Sequence, residues 1–459
     1  MLKRVLVANR GEIAVRIIRA CREAGIETVA VYSKADVNAT HVQMATHSYC
    51  IGKERAVDSY LNMENILTIA TATACDAIHP GYGFLSENSR FARLCNKLNI
   101  KFIGPSGDII DQMGNKAKAR ELMIQAGVPV VPGSDGIVEN IEDAKKIVEQ
   151  IGLPVLIKAS AGGGGRGMRK VFNMDELENN YYAAKAEAKS CFSNDDVYIE
   201  KLILNPKHIE FQILADKFGN TIHLGERDCS LQRRGQKMME ETPSPALNQN
   251  LREEMGNAAI RAAKAVNYEN AGTIEFVLDS NENYYFIEMN TRIQVEHPVT
   301  EMLTGVDLIH EQLRIASGLK LSQTKVKFLG HAIECRINAE DINFAPAIGK
   351  IEFVHFPGGY NTRVDTAIYA GCEISPFYDS MIAKVIVLGK TRLGAIRRMR
   401  RALEELVIEG VDTNAELMHI ILYNKEILKG NYNTGFIEAN ISEIIKTYKK
   451  AGGANESVW

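Results

Sequence analysis

The sequence predicts an α/β protein of about three domains, the first of which is a doubly wound parallel sheet. Its 459 residues are enough for roughly three domains of about 150 residues each. Buried strand-like runs alternate with helical apolar spacing from the start of the chain. With 46% hydrophobic and 24% charged residues, the composition is that of a globular protein, and this argues against wholesale disorder.

Charge and cysteine usage narrow the classes of protein further. The 54 Lys and Arg against 57 Asp and Glu give a net charge of −3, which argues against a nucleic-acid coat or a membrane-surface protein. The eight cysteines are scattered without a CxxC pair, as expected in a reducing compartment. We find neither a signal peptide nor an 18-residue apolar run, so we expect a soluble cytoplasmic protein.

Alternating strands and helices predict the N-terminal domain, over residues 1–113. The strands are expected at Val5–Ala8, Thr28–Tyr32, Ala77–Ile78 and Lys101–Gly104, with a helix over Ile13–Ala24. The first turn, at residues 9–12, has one glycine where a dinucleotide fingerprint needs three. This departure argues against nicotinamide binding.

Proline and glycine punctuation between residues 127 and 133 marks the start of a second section. It contains a short strand at residues 155–158. A third, mixed α/β section follows from residue 331, with strands expected at 331–338, 350–356 and 382–388 and a basic helix at 391–409. We interpret the arginine-rich run at 397–401 as an exposed helix face.

A glycine run follows the strand at 155–158. Five of the six residues 162–167 are glycine, with Lys158 before the run and Arg166 within it. Glycines expose backbone N–H groups, which suits a flexible cover over phosphates, although a surface linker has the same composition. No G-x-x-x-x-G-K-[ST] sequence occurs, which excludes a P-loop.

Two carboxylates are expected to face each other in a hairpin. Strand-like runs at 273–279 and 284–290 flank a four-residue turn. If Asp279 pairs with Tyr284, Glu275 lies opposite Glu288 and Thr273 opposite Asn290. Facing like charges destabilise a bare sheet, but two carboxylates and an amide oxygen suit Mg²⁺. A solvated sheet face remains the alternative.

A polar stripe continues this two-residue period beyond the hairpin. Its members are Glu288, Asn290, Arg292, Gln294 and Glu296, which share one face if the segment stays extended. The stripe is typical of a small-anion site beside a phosphate, where Arg292 holds the anion and Glu296 takes a proton from it.

These motifs resemble a known family. The segments KASAGGGGRGM (158–168), GERDCSLQRRGQK (225–237), EMNTRIQVEHPVTE (288–301), HAIECRINAED (331–341), VANRGEIAVRIIRA (7–20) and HPGYGFLSEN (79–88) are similar to the biotin carboxylase subunit of biotin-dependent carboxylases, of the ATP-grasp superfamily. The likeness extends from Met1 to about Tyr448.

The resemblance implies a three-domain fold. It comprises an N-terminal Rossmann-like domain at 1–113, an ATP-grasp domain at 114–330 with a glycine-loop lid at about 131–203, and a C-terminal domain at 331–448, before a flexible tail at 449–459. It also implies an ATP-dependent ligase that makes carboxyphosphate from bicarbonate and ATP with Mg²⁺ or Mn²⁺, and then carboxylates biotin on a carrier protein, as in acetyl-CoA carboxylase of fatty acid biosynthesis.

The family's site residues carry over by position. Those implied for ATP are Lys116, Lys158, Gly164, Gly165, Glu200, Lys201, Ile203, His208, Gln232, Glu275 and Glu288. Those implied for the metal are Glu275, Glu288 and Asn290, and those for bicarbonate are Lys237, Arg292, Gln294 and Val295. The catalytic set is Lys237, Arg292, Glu296 as general base and Arg336 at the biotin enolate, with Tyr82 as a second biotin contact.

Partners and one departure complete the expectations. No Met-Lys-Met biotin attachment site occurs, so we expect the carrier and a carboxyltransferase on separate chains. The resemblance also implies a homodimer whose surface includes the helix that carries Arg16 and the region of Arg363. Arg16, Arg19 and Glu23 share a helix face that we interpret as solvated. Gly235 replaces the usual His or Asn of the family, which predicts looser ribose recognition.

Two other functions stay open from the residues. Another ATP-grasp ligase that activates a different carboxylate would share the hairpin and the glycine run, but has no need of Arg336 or the full polar stripe. A non-catalytic subunit would be expected to lose residues such as Lys237, Glu275 and Glu296, which are all present. The final carboxyl acceptor, whether acetyl-CoA, propionyl-CoA, pyruvate or 2-oxoglutarate, cannot be read from the sequence.

Overall fold

A computed structural model of the chain describes residues 2–160, 168–192 and 194–450. Gly164 and Gly165 therefore lie outside the described residues, with the rest of the glycine run and most of the predicted tail.

The N-terminal part is an open parallel sheet covered by helices. Its elements are β1 (Arg4–Val7), α1 (Gly11–Glu23), β2 (Glu27–Ser33), α2 (Thr40–Met44), β3 (His47–Gly52), α3 (Met63–Ala72), β4 (Ala77–His79), α4 (Ser89–Lys97), β5 (Lys101–Phe102) and α5 (Gly107–Gly114). The strand order is β3-β2-β1-β4-β5, and all pairs are parallel. Because the order reverses at β1, the sheet is doubly wound, as predicted.

A small three-stranded antiparallel sheet follows, in the order β7-β6-β8. This section contains α6 (Lys116–Gln125), α7 (Ile141–Ile151), β6 (Val155–Ala159), β7 (Met168–Val171), α8 (Met174–Phe192) and β8 (Val197–Lys201). The buried faces of α7 and α8 share one apolar core with the strands. The undescribed glycine run joins β6 to β7.

An eight-stranded antiparallel sheet forms the rest of the core, in the order β13-β12-β9-β10-β11-β14-β19-β17. The remaining elements are β9 (Lys207–Ala215), β10 (Thr221–Arg233), β11 (Gln236–Thr242), α9 (Gln249–Ala265), β12 (Asn270–Leu278), β13 (Tyr284–Asn290), α10 (His297–Thr304), α11 (Leu308–Ala316), β14 (His331–Asn338), β15 (Gly349–Lys350), β16 (Phe353–His355), β17 (Thr362–Thr366), β18 (Glu373–Ile374), β19 (Met381–Gly389), α12 (Arg392–Glu405), β20 (Val407–Glu409), α13 (Ala415–Ile421), α14 (Lys425–Lys429) and α15 (Phe436–Lys450). Since β11 pairs with β14, one hydrogen-bonded ladder crosses the predicted boundary at residue 330.

Two sequence predictions in the C-terminal part are wrong. The single strand expected at 350–356 is two short strands, because the chain pairs with β18 at β15 and then with β20 at β16. The helix expected to reach residue 409 ends at Glu405, since Leu406 is extended and the β-branched residues that follow form β20.

The interpretation of the α1 face is also partly wrong. Arg19 and Glu23 are exposed, but Arg16 is buried. Its guanidinium lies 2.9 Å from a Glu301 oxygen and 2.7 Å from an Asp307 oxygen. Helical spacing alone does not reveal these partners, because they lie almost 300 residues away.

Candidate active site

The hairpin of β12 and β13 places two glutamates opposite each other. Glu275 pairs with Glu288, as predicted. The premise of that prediction is wrong, because Leu278 and not Asp279 pairs with Tyr284. The register shifts by one residue between Glu275 and Phe276. Because of this shift, Glu275 still pairs with Glu288 although the turn begins one residue earlier than predicted.

Hydrogen-bond donors surround Glu275. Its Oε1 accepts from Asn290 Nδ2 at 2.8 Å and from Gln294 Nε2 at 3.0 Å, and its Oε2 is 3.1 Å from His208 Nε2. Burial acts to raise the pKa of Glu275, but Lys237 and His208 outweigh it and hold the pKa far below its usual range. Glu275 is therefore an anion at neutral pH.

The donor set at this edge fits a divalent cation. Glu288 faces Lys116, whose Nζ is 3.6 Å from Oε2. His208, Glu210 and Glu275 each present a ligand atom within 4.8 Å of the others. Carboxylate oxygens that lie this close together suit Mg²⁺ or Mn²⁺ chemically.

The segment after Asn290 does not continue as a strand, so that part of the stripe prediction is wrong. The polar side chains nevertheless converge. Arg292 donates from Nη2 to Asn290 Oδ1 at 3.0 Å and from Nη1 to Gln294 Oε1 at 2.9 Å. It also donates from Nε to Glu87 at 2.9 Å. Glu87 belongs to the HPGYGFLSEN motif, but nothing in its spacing indicated this contact.

Glu296 is fully buried between two cations. Its Oε1 accepts from Lys237 Nζ at 2.6 Å, and its Oε2 accepts from Arg336 Nη2 at 3.0 Å. Burial acts to raise the pKa of Glu296, but Lys237 and Arg336 hold it well below its usual range. The carboxylate is therefore ionised, which is the state a proton acceptor requires.

Two further buried acids complete the charge network, and sequence reasoning missed both. Glu210 accepts from Lys237 Nζ at 2.6 Å, and Glu240 accepts from Arg336 Nε at 2.7 Å. Glu210 also accepts from the buried Arg227 at 2.5 Å. Only a pairing register identifies such residues, because acids within strands usually lie on solvated faces.

A register shift in β11 brings Lys237 and Glu240 to the same site. Residues three apart in a regular strand point to opposite faces. Here Gln232 pairs with Lys237 but Leu231 pairs with Met239, so one extra residue is inserted in β11. This shift turns the side chains after Lys237 to the other face of the sheet, so that Glu240 points to the same side as Lys237.

The nucleotide-binding residues predicted for the purine lie on β8 and just after it. The Lys201 N–H donates to the Pro132 carbonyl at 2.7 Å. An antiparallel partner would return a bond to the Lys201 carbonyl, but proline has no N–H. That carbonyl is therefore left available for a ligand amino group. Ile203 follows β8, and Lys158 Nζ is 2.5 Å from Glu200 Oε2.

Other predicted residues lie around this centre. Gln232 is buried on β10 opposite Lys237. His208, expected near the sugar, has its imidazole against Glu275. The Tyr82 hydroxyl donates to Glu12, and its ring packs against the core of α1, so much of this side chain is already engaged within the protein.

Backbone conformation explains why glycine occupies position 235. Arg234 and Gly235 connect the paired residues Arg233 and Gln236, with φ of +49° and +80°. Two positive φ values are those of a type I′ turn, which favours glycine at its second position. A Cβ at Gly235 meets no atom within 4 Å, so backbone conformation and not space restricts this residue.

Comparison with known proteins supports the resemblance over nearly the whole chain. Family models match in three successive parts: "Biotin carboxylase, N-terminal domain" at residues 1–110, "Carbamoyl-phosphate synthase L chain, ATP binding domain" at 115–324 and "Biotin carboxylase C-terminal domain" at 334–439. Biotin carboxylase 1 of Bacillus subtilis is 59% identical over 443 residues, which is 95% of this chain and 98% of that protein.

The chain belongs to the biotin carboxylase family. The family's enzymes are ATP-dependent ligases that use ATP, Mg²⁺ and bicarbonate to carboxylate biotin. The 2-oxoglutarate carboxylase small subunit of Hydrogenobacter thermophilus is 54% identical, over 95% of this chain and 93% of its own length.

Solved structures of biotin carboxylases share the fold. The biotin carboxylase domain dimer of the H. thermophilus 2-oxoglutarate carboxylase, in complex with MgADP, ADP and bicarbonate, superposes with a TM-score of 0.92 at 53% identity, covering 97% of this chain and 99% of that one. The Campylobacter jejuni biotin carboxylase β-γ-ATP complex gives 0.93 at 47% identity, covering 96% and 99%. Within the described residues, no helix combines the length and apolarity needed to cross a membrane.

Proposed function

We propose that the residues around Glu296 carry out the family's reaction in this chain: ATP-driven activation of bicarbonate to carboxyphosphate, followed by carboxylation of biotin on a carrier protein. The observation that supports this proposal is the position of Glu296. Its carboxylate lies between Lys237 and Arg336, and Lys237 also contacts Glu275 at the predicted metal edge. A base, an anion-binding lysine, a biotin-facing arginine and a metal edge thus form one chain of contacts.

The nucleotide is proposed to lie between the three-stranded sheet and the hairpin edge. Lys116 and Lys158 contact its phosphates, and the purine meets Glu200, Lys201 and Ile203. His208 and Gln232 face the sugar region. Mg²⁺ held by Glu275, Glu288 and Asn290 would neutralise phosphate charge and so favour phosphoryl transfer.

Bicarbonate is proposed to bind where Lys237, Arg292, Gln294 and Val295 meet. The planar fork of Arg292 is held by Asn290 and Gln294, so it is oriented before an anion arrives. Glu296 removes the proton from bicarbonate, and the resulting dianion attacks the γ-phosphorus of ATP. Its low pKa keeps Glu296 ionised for this step.

Arg336 is proposed to act in the second step. Carboxyphosphate breaks down to CO₂ and phosphate, the phosphate removes the N1 proton of biotin, and the biotin nitrogen attacks CO₂. Glu240 and Glu296 hold the Arg336 guanidinium by its Nε and Nη2, which leaves Nη1 for the developing ureido oxyanion. Tyr82 is proposed to line the same pocket.

Assembly follows the same proposal. We infer a homodimer that uses a surface near Arg363, and biotin that arrives on a carrier protein with a carboxyltransferase as the next partner. Arg363 donates to Glu301 at 2.7 Å, the acid that also holds Arg16, so this region is anchored to α1. Sedimentation of the pure chain as a monomer at micromolar concentration would contradict the dimer.

The test of the function is phosphate release from ATP by the pure chain. We expect release that requires Mg²⁺ and bicarbonate and increases when free biotin is added. The matched control is Arg336→Lys, which keeps the charge but loses the planar fork, and should reduce biotin stimulation with little change in ATP binding. Absence of biotin-stimulated release from folded protein would contradict the proposal.

A further inference from the structure

Lys384 is a lysine without exposed surface on β19, the strand next to the β17 edge of the eight-stranded sheet, and sequence reasoning gave it no role. It lies on β19, opposite Arg336 of β14 on one side and opposite Asp365 of β17 on the other. A buried ammonium is costly unless charges and hydrogen bonds compensate it. The groups that contact Lys384 therefore indicate what its buried charge does.

Three separate parts of the chain meet at this ammonium. Its Nζ donates to the Val295 carbonyl at 2.8 Å and lies 3.0 Å from Glu12 Oε1 and 4.0 Å from Asp365 Oδ2. Burial acts to lower the pKa of Lys384, but Glu12, Glu334 and Asp365 outweigh it and raise the pKa. Lys384 is thus charged while it bonds a backbone carbonyl of the active-site segment.

The Val295 carbonyl belongs to the peptide that joins Val295 to Glu296. Residues 291–296 lie between β13 and α10, outside any strand ladder. Glu296 precedes the first turn of α10 but makes no side-chain cap, because its carboxylate is used by Lys237 and Arg336. The neighbouring Gln294 carbonyl accepts from the His297 N–H at 3.4 Å, and the Val295 carbonyl accepts from Lys384 at 2.8 Å. Lys384 therefore bonds the Val295–Glu296 peptide directly.

We propose that Lys384 is a positioning residue for Glu296: its ammonium fixes the Val295–Glu296 peptide, and so holds the Glu296 carboxylate and the Val295 backbone at the bicarbonate pocket. This inference rests on the proposed function, which places bicarbonate there. The same ammonium reaches Tyr82 through Glu12, since Glu12 Oε1 also accepts from the Tyr82 hydroxyl. Lys384 thereby connects the bicarbonate side of the site to the predicted biotin side.

The test compares two variants that differ only at Lys384. Lys384→Met alone would leave Glu12 without its buried counter-charge, and the chain could fail to fold. The double variant Glu12→Gln/Lys384→Met removes both charges, and Glu12→Gln alone is its reference. Asp365 keeps its two bonds to Arg363, at 2.8 and 2.7 Å, in every variant.

We expect the double variant to have a kcat/KM for bicarbonate about 10- to 100-fold below that of Glu12→Gln, the scale of effect that misplacing a reacting group produces. The Kd for ATP should differ less than about twofold. If Lys384 served only to balance charge, its loss would not lower kcat/KM for bicarbonate while leaving the Kd for ATP nearly unchanged.

Lys207→Met is the matched control. Lys207 also bonds one carboxylate and one carbonyl, Asp228 at 3.2 Å and Gly430 at 3.0 Å, but neither belongs to the segment before α10. Its removal is expected to lower the unfolding temperature and to leave the KM for bicarbonate unchanged.

Hydrogen exchange of the segment 291–299 provides a readout that does not depend on turnover. We expect faster exchange there in the double variant than in Glu12→Gln. Equal exchange and equal kcat/KM for bicarbonate in these two variants would overturn the role of Lys384. Failure of the proposed function is distinguished from this, because it would show as a parent chain without bicarbonate-dependent phosphate release.

Discussion

Glu240 and Glu241 are consecutive residues of β11, both without exposed surface, and their surroundings are opposite in character. Glu240 faces the active site. One of its oxygens accepts from Arg336, and the other has no partner among the described residues. It also lies opposite Glu334, whose two oxygens have no hydrogen-bond partner in the same part of the chain. Three carboxylate oxygens of Glu240 and Glu334 thus have no hydrogen-bond partner among the described residues.

Glu241 faces the C-terminal part and is fully bonded. His331 Nε2 lies 2.5 Å from its Oε2, Arg392 donates to both of its oxygens at 2.7 and 2.9 Å, and the Tyr432 hydroxyl donates to Oε1. These donors come from β14, α12 and the segment before α15. Glu241 therefore joins the large sheet to the C-terminal helices.

The pKa values of the two carboxyls follow this difference. Burial raises the pKa of Glu240 to about 7, because Arg336 offsets only part of its effect and Glu296 adds a like charge. Burial also acts to raise the pKa of Glu241, but His331 and Arg392 reverse its effect and lower the pKa to about 2. The site face thus holds a carboxyl that is partly protonated near neutral pH, and the other face uses an ionised carboxylate for stability.

The largest expected effect is on the site face, at Glu296. Glu296→Gln keeps the shape but cannot accept a proton, so bicarbonate-dependent phosphate release should fall about 10²- to 10⁴-fold. ATP binding, measured by calorimetry, should change little. Loss of ATP binding in a folded variant would contradict the assignment of Glu296 as the base.

The next effect is on the stability face, at Glu241. Glu241→Gln leaves Arg392 without a full counter-charge, and we expect the free energy of unfolding to fall by about 3 kcal/mol. Glu240→Gln is the matched control one residue away, and should cost less because Glu240 is already partly protonated near neutral pH. Urea unfolding of both variants measures the difference, and equal losses would refute the contrast between the two faces.

Stability against pH should separate the two glutamates by sign. The folded pKa of Glu241 is about 2 against an ordinary value of 4.5, so its contribution is present above pH 4.5 and is lost as pH falls towards 2. The folded pKa of Glu240 is raised to about 7, so its contribution is present below pH 4.5 and is lost as pH rises through 7.

Urea midpoints measured from pH 3 to 8 check this prediction. The difference between parent and Glu241→Gln should shrink only at the acidic end. The parent should lose stability relative to Glu240→Gln between about pH 4.5 and 7. Parallel curves for the two variants would show that the two environments are equivalent.

The smallest effect is expected at the turn that begins β11. Gly235→Asn restores an amide that can reach the nucleotide and suits a positive φ, so we expect ATP affinity to improve a few-fold with a stability change below about 1 kcal/mol. Gly235→Val should lose more stability without a gain in affinity. Unchanged ATP affinity in Gly235→Asn would remove the predicted link between this glycine and weak ribose recognition.

The fold and the reaction class could be predicted from the sequence because their signals are local. The alternation of apolar runs predicts the parallel sheet, and motifs such as that at 288–301 indicate the family. The hairpin of residues 273–290 was also predictable, since it joins near neighbours, but Glu275 meets Glu288 only because the register shifts between Glu275 and Phe276. The residue roles inferred from the family remain predictions for the kinetic experiments above.

The sequence by itself determined which chemical groups are present and that strands carry them. Tertiary structure alone decided which acids meet which cations. Glu210, Glu240 and Lys384 find their partners through register shifts and strand pairings between distant segments. A shift of one residue turns a side chain to the other face of a sheet, so local periodicity cannot assign these partners.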